Sequence, residues 1–330
     1  MDTVRPTISV LIPAYNEEAN VERAYGAVVR AFEDLPEYDL EIVFTDNHST
    51  DRTFAILSAI ATTDRRVRVL RFSRNVGYQR SLLAAYKAAT GACSVQLDCD
   101  LQDPPHLIPG MIALWRQGHK VVYGIRRSSR QDSWLTALLR RAFYRLVRSI
   151  SDDDLPLDVG EFRLVDRRIL EELRKVEDTS PYLRGLISSM GFSQVGFPYD
   201  RQARVAGTSK FPLKEMTLLA LDGILNHSLV PLRLASLASL FMGTITFVLL
   251  IGYTVGTFVF GQHWPQGFAT TTLLILISMT MNAIFLGIVG EYVGRIFMQS
   301  KRRPATIVET SLNDEGFEGR PAILLDMIVR

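Results

Sequence analysis

Near its C-terminal end the chain carries two stretches, Leu234 to Phe260 and Phe268 to Gly290, without a single Asp, Glu, Lys or Arg. A helix needs roughly 20 apolar residues to cross a bilayer, and both stretches exceed that. They predict two spanning helices, over about 234–260 and 268–292. Neither lies at the start of the chain, where a secretory signal would. Arg233 precedes the first stretch, Arg295, Lys301, Arg302 and Arg303 follow the second, and the connector 261–267 has no Lys or Arg. The positive-inside rule therefore predicts a multi-pass hairpin in the cell (plasma or inner) membrane, with the bulk of the chain and both termini cytoplasmic. Glu291 falls at the headgroup rim. Gly287, Gly290 and Gly294 allow close helix packing.

Away from these stretches the charges nearly cancel, with 37 Lys and Arg against 35 Asp and Glu and a formal net charge of +2. No bulk basic field is available to hold a polyanion, so nucleic acid is not an expected partner. Cys93 and Cys99 are too few for a disulfide framework or a zinc cluster and read as buried free thiols.

Residues 1 to about 125 alternate between two patterns. Runs at Thr7–Ile12, Leu40–Phe44, Val67–Phe72, Ala92–Leu97 and Val121–Gly124 predict strands, and Glu17–Phe32, Asp51–Ala61, Gly77–Ala89 and Pro104–Trp115 predict the helices between them. Such alternation gives an α/β fold, a mostly parallel sheet with helices on both faces, whose ligand lies beyond the carboxyl ends of the strands. The polar motifs fall there: Asn16-Glu17, Asp46 to Ser49, Ser73 to Gly77, Asp98 to Gln102, and Arg126-Arg127. No glycine-rich dinucleotide fingerprint follows a strand, and no Gly-Lys-Ser/Thr phosphate loop occurs.

Asp98, Asp100 and Asp103 crowd the end of the fourth strand. Carboxylates at i and i+2 share a side if that segment is extended. Hard oxygen ligands of this kind suit Mg2+ or Mn2+ bound jointly with a diphosphate, where the cation offsets charge on a departing phosphate. Loop solvation is the plainer alternative.

In order along the chain, Pro13-Ala-Tyr-Asn-Glu17, Asp46-x-x-Ser49-x-Asp51-x-Thr53, Arg74-Asn-x-Gly77, Asp98-x-Asp100-Leu-Gln102-Asp103-Pro104 and Gly124-x-Arg126 resemble the motif series of inverting family 2 glycosyltransferases of the GT-A fold. Within that family the chain resembles the polyprenyl-phosphate glycosyltransferases, the group of dolichol-phosphate mannose synthase and the bacterial prenyl-phosphate glucosyltransferases. Phe162-Arg-Leu164-x-Asp166-Arg167, Arg204-x-x-Gly-Thr-Ser-Lys210 and the two-helix anchor extend the likeness. Three motifs depart from the usual pattern. Asp-Asp-Gly-Ser reads Asp46-Asn47-His48-Ser49, Gly-Asp-Phe-Arg reads Gly160-Glu161-Phe162-Arg163, and Gly-Glu-Ser-Lys reads Gly207-Thr208-Ser209-Lys210. The expected layout is a Rossmann-like GT-A domain over 1–210, a juxtamembrane helix over 211–230, the two transmembrane helices within 231–300, and a cytoplasmic tail over 301–330.

The resemblance implies one sugar moved from a nucleotide sugar, with UDP preferred, to polyprenyl phosphate of the undecaprenyl or dolichyl type, for cell-envelope glycan or lipid modification. It implies that Pro13, Tyr15, Glu17 and Asp46 hold the nucleoside, that Asp98 faces the ribose or the metal, and that Asp100 and Gln102 hold Mg2+ or Mn2+. Glu17 also has a plainer reading, as an acid favoured by a helix dipole. A lipid phosphate has a second pKa of about 6 and is already anionic at neutral pH, so it needs no strong base. Asp158 is then either a base or a group that orients the substrates. The phosphate does need cations, and guanidinium groups suit it. Arg126, Arg127 and Arg130, then Arg204, Ser209 and Lys210, are the candidates, with Asp158, Arg126 and Arg204 expected to be catalytic. Trp134 to Ile150 reads as a basic amphipathic helix suited to an anionic bilayer surface.

Two other readings compete. A processive polysaccharide synthase would carry Gln-x-x-Arg-Trp, but the residues before Trp115, Trp134 and Trp264 are Leu, Ser and His. A non-enzymatic protein that only binds the lipid carrier has no use for the nucleotide and metal motifs. Assembly into a homo-oligomer is left open.

Overall fold

The computed structural model describes residues 5–126, 159–178, 181–200, 230–259, 267–301 and 303–314. They fall in two compact units. The first begins with β1 (Thr7–Ala14), α1 (Val21–Glu33), β2 (Asp39–Asp46), α2 (Thr53–Thr63), β3 (Val67–Phe72), α3 (Tyr78–Ala88) and β4 (Cys93–Gln96). A 3-10 turn then leads into α4 (Ile108–Arg116) and β5 (Val121–Arg126). β6 (Val159–Asp166), α5 (Arg167–Lys175), α6 (Leu183–Ser189) and β7 (Gln194–Tyr199) follow, and β8 (Val308–Leu312) comes much later in the chain.

The strands form one mixed sheet in the order β7-β5-β6-β4-β1-β2-β3-β8. β1 runs parallel to β2 and β4, β2 to β3, and β5 to β7. β6 runs antiparallel between β4 and β5, and β8 runs antiparallel along β3. Alternation along the strands supplies two cores, since successive side chains face opposite sides. Ile8, Val10 and Ile12 pack with α1, α2 and α4, while Leu11 and Val43 pack with α3, α5 and α6. Cys93 and Cys99 are buried free thiols, as expected.

The five predicted strands are all present. The first helix starts later than predicted, at Val21, because Glu17 to Asn20 form a turn closed by Asn20 N–H and Val21 N–H on the Glu17 carbonyl. The segment after residue 301 holds a strand. β8 extends the sheet, and Asp314 beyond it pairs with Arg68 of β3. Arg68 also meets Glu41, buried in β2, which accepts from the Ser9 hydroxyl and from Thr90. A carboxylate inside a central strand is stable only when so surrounded.

The second unit contains α7 (Val230–Phe258) and α8 (Phe268–Ser300), each on the order of 40–50 Å long at 1.5 Å per residue. Large apolar side chains stand exposed on both, among them Leu240, Phe241, Phe247, Met279 and Leu286. Among the described residues, Ile277–Ser300 is the segment long and apolar enough to cross a membrane. Glu291, left at the rim by the sequence, pairs with Arg295 one turn on.

One stabilising group can be isolated. At the end of α2 the Asp64 carboxylate takes Arg66 Nη2 at 2.7 Å and the Tyr25 hydroxyl at 2.9 Å. Those bonds, led by the one from Arg66, hold its pKa down at about 2. A depressed carboxyl stabilises the fold above its unfolded value near 4 and loses that contribution as pH falls through about 2. Asp64→Asn is expected to cost about 1–2 kcal/mol at pH 7, after allowance for solvent screening, and almost nothing at pH 2. Denaturant melts at the two pH values check this. An equal cost at both would show that the charge is irrelevant.

Candidate functional site

Two loops at the carboxyl ends of β1 and β2 are laced by side-chain to backbone bonds. Ser49 Oγ accepts from Asn16 N–H at 2.9 Å, Thr53 Oγ1 from Glu17 N–H at 2.8 Å, and Asp51 from Glu18 N–H at 3.3 Å. In return Asn16 Oδ1 accepts from Thr50 N–H at 2.8 Å. The spacing of Asp46-x-x-Ser49-x-Asp51-x-Thr53 thus has a mechanical cause: three of its residues fix the neighbouring loop. Tyr15 is left exposed and Pro13 buried. The carboxylate of Glu17 accepts from Asn20 Nδ2 at 2.6 Å, and because α1 begins only at Val21, Glu17 is not an acid of its first turn as the helix-dipole reading required.

Asp46 ends β2 fully buried. One oxygen accepts from Ser49 N–H at 3.1 Å, while Oδ2 has no hydrogen-bond donor. Arg71 Nη1 stands 3.5 Å from Oδ2, in ion-pair range. His48, where the family usually has glycine, keeps the backbone that glycine favours, with φ of +61°. Its ring makes use of the position, with Nδ1 3.0 Å from the Phe72 carbonyl.

The segment from Asp98 to Asp103 turns rather than running extended, so the argument from alternating sides does not apply to it. Leu101 in its middle has φ of +55°, a strained value for a branched side chain. Asp98 accepts from the Tyr78 hydroxyl at 2.6 Å, and Tyr78 is held in turn by Gln96 at 2.7 Å. Burial first, and then the charges of Asp103, Asp100 and Glu161, push the Asp98 carboxyl up to about 6 against that bond. Asp100 accepts from Gln102 N–H at 3.2 Å. Among the described residues no group of three His, Cys, Asp or Glu gathers into an all-protein cage. A cation shared with a diphosphate needs only one or two protein carboxylates, so Asp98 and Asp100 fit Mg2+ or Mn2+ held with a substrate.

Asp103 serves differently from its neighbours. It is buried, accepts from the Tyr199 hydroxyl, and lies 3.6 Å from Arg126 Nη2. Tyr199 also meets Arg126 Nε at 3.3 Å, so Arg126 is anchored while 31% of its side chain stays exposed. Two glycines make room for this group. A Cβ on Gly160 would lie 2.7 Å from Arg126 Nη2, and one on Gly124 would lie 2.6 Å from the Tyr199 ring.

Sequence reasoning passed over Glu161, naming it only as a departure from a motif. It accepts from Gln79 at 3.1 Å, pairs with Arg184 at 3.0 Å, and leaves Oε2 buried without a donor. Tyr78 was likewise missed, because nothing in a helix-start tyrosine signals that it faces a carboxylate two elements away. Asp158, Arg127, Arg130, Arg204, Ser209 and Lys210, and the helix expected over 134–150, lie outside the described residues.

The model of the family described as Glycosyl transferase family 2 matches residues 9–174. The chain belongs to that family. This glycosyltransferase is similar to the uncharacterized glycosyltransferase YkcC of Bacillus subtilis (strain 168), 36% identical over 307 residues that cover 93% of this chain and 94% of the other. It is also similar to the bactoprenol glucosyl transferase of Shigella phage SfV, 35% identical over 302 residues that cover 92% and 98%. Among solved structures it is similar to the mannosyltransferase PcManGT from Pyrobaculum calidifontis in complex with GDP-Man and Mn2+, at 19% identity and TM-score 0.44, covering 88% of each chain.

The left-handed backbone at His48 gives a stability test. His48→Ala keeps the strained φ and removes the ring bond, whereas His48→Gly removes both. Alanine is expected to be the worse substitution by about 1 kcal/mol, measured by chemical denaturation of the glycosyltransferase. A glycine variant no more stable than the alanine one would mean that the strain is not real.

Proposed function

We propose that this glycosyltransferase moves a single sugar from a nucleotide sugar, a UDP-sugar for preference, to polyprenyl phosphate at the inner face of a membrane. The observation that carries the reading is the extent of the match to a bactoprenol glucosyl transferase. It covers 98% of that protein and leaves too few residues of this chain outside to omit either α7 or α8. The exposed apolar side chains of those helices support a membrane hairpin. So does the return of the chain to the sheet at β8, because two crossings bring it back to the side on which it started.

In this reading the buried, donor-free Oδ2 of Asp46 accepts an N–H of the nucleobase, with Pro13, Tyr15 and Glu17 beside it. Asp98, Asp100 and Gln102 hold Mg2+ or Mn2+, whose charge offsets that of the leaving diphosphate. Arg126, steadied by Asp103 and Tyr199, faces the acceptor phosphate, with Arg127, Arg130, Arg204, Ser209 and Lys210 as further contacts. The phosphate attacks as an anion, so Asp158 orients rather than deprotonates.

Incubation of the purified protein with labelled nucleotide sugars, Mg2+ or Mn2+ and polyprenyl phosphate is expected to give an organic-extractable product with one sugar. A long polymer would indicate a polysaccharide synthase, and no transfer from any donor a carrier-binding protein. Asp100→Ala is expected to lower turnover over about a hundredfold with the protein still folded. Normal turnover at saturating metal would remove Asp100 from the site. Arg126→Lys keeps the charge that Asp103 needs but loses the planar fork, and is expected to raise the KM for polyprenyl phosphate about tenfold. An unchanged acceptor KM would place the phosphate elsewhere.

A further inference from the structure

The strand that follows α8 in sequence pairs with β3, the neighbour of the strand that ends at Asp46. Thr310 stands opposite Arg71 and Val308 opposite Phe72, and Ser73 N–H donates to the Ile307 carbonyl at 3.0 Å. Between those positions Glu309 extends its carboxylate to Arg71 Nε at 3.3 Å and to within 3.7 Å of His48 Nδ1. Arg71 is therefore shared. Its Nε faces Glu309, its Nη1 stands 3.5 Å from Asp46 Oδ2, and its guanidinium carbon lies 4.4 Å above the Phe54 ring.

The two acidic partners are not equivalent. Asp46 is fully buried and Glu309 is half exposed. A buried carboxylate attracts a guanidinium more strongly than an exposed one, yet Arg71 stops short of hydrogen-bond contact with Oδ2. The cation lowers the cost of the buried charge without occupying the lone pairs. Glu309 and Phe54 hold it on the other side.

We infer that Glu309, contributed from beyond the second long helix, is a positioning residue of the donor site. It restrains Arg71 so that the buried Asp46 Oδ2 keeps its lone pairs without a donor, for an N–H of the nucleobase to take. Without the Glu309 charge, Arg71 closes on Asp46 and competes with the base. The inference rests on the reading of Asp46 as a nucleobase contact.

The test uses the full chain in detergent micelles, with UDP and GDP as probes in the presence of Mn2+. Glu309→Gln is expected to weaken binding of the preferred nucleotide about tenfold, and to raise the KM of the matching nucleotide sugar by the same factor. Its kcat and its KM for polyprenyl phosphate should hold. Asp314→Asn loosens the other anchor of the same segment, at Arg68. It is expected to lower the Tm while leaving nucleotide affinity within about twofold of wild type. Nucleotide affinity unchanged in Glu309→Gln but lost in Asp46→Asn overturns the role of Glu309 alone. Equal weakening by Glu309→Gln and Asp314→Asn also overturns it, because docking of the strand would then be all that matters. Full affinity in Asp46→Asn overturns the underlying reading of the site and the inference with it.

Discussion

A carboxylate closed into protein with one oxygen lacking a donor is an expensive thing to fold around. Asp46 is such a group, and much of its neighbourhood is explained by the need to keep it there. Ser49 N–H satisfies one oxygen and Arg71 faces the other from ion-pair distance. The Asn47 side chain binds Val76 N–H at 2.8 Å, tying the next loop to the same point. The bonds between the β1–α1 and β2–α2 loops brace the rim around Asp46.

The same residues divide the labour within motifs that read as single units in sequence. Asp98 and Asp100 remain at the mouth of the sheet, while Asp103 turns inward to hold Tyr199 and Arg126. Of Asp46, Ser49, Asp51 and Thr53, the last three spend their side chains on backbone amides. Glu17 spends its own on Asn20. Motif membership therefore does not mean contact with a ligand.

The parallel strands were legible because they are buried on both faces, which forces nearly continuous runs of Val, Ile, Leu and Phe. β6 was not, because Glu161, Arg163 and Asp166 interrupt its apolar residues, and Glu161 and Asp166 find their partners, Arg184 and Lys120, elsewhere in the chain. β7 contains Gly196 and Pro198, tolerated because it forms the edge of the sheet. β8 is short and polar for the same reason. The pairing of Arg126 with Asp103 and Tyr199 was equally hidden, since no local pattern announces a contact between residues so widely separated. The chemistry of the strand ends could be read from residue types, but the turn at Asp98 to Asp103 could not.

β8 also has a consequence for the order in which the molecule can be built. The N-terminal strands leave the ribosome first and can pair early. The outer edge of β3 stays uncovered until α7, α8 and the segment behind them have been made. An open strand edge invites association with other chains. A nascent chain halted before residue 308 therefore has most of its sheet but an unfinished border, with Arg68 and Arg71 deprived of Asp314 and Glu309. Completion of the sheet is thereby deferred until both long helices exist, and a product truncated within them is marked for aggregation or degradation.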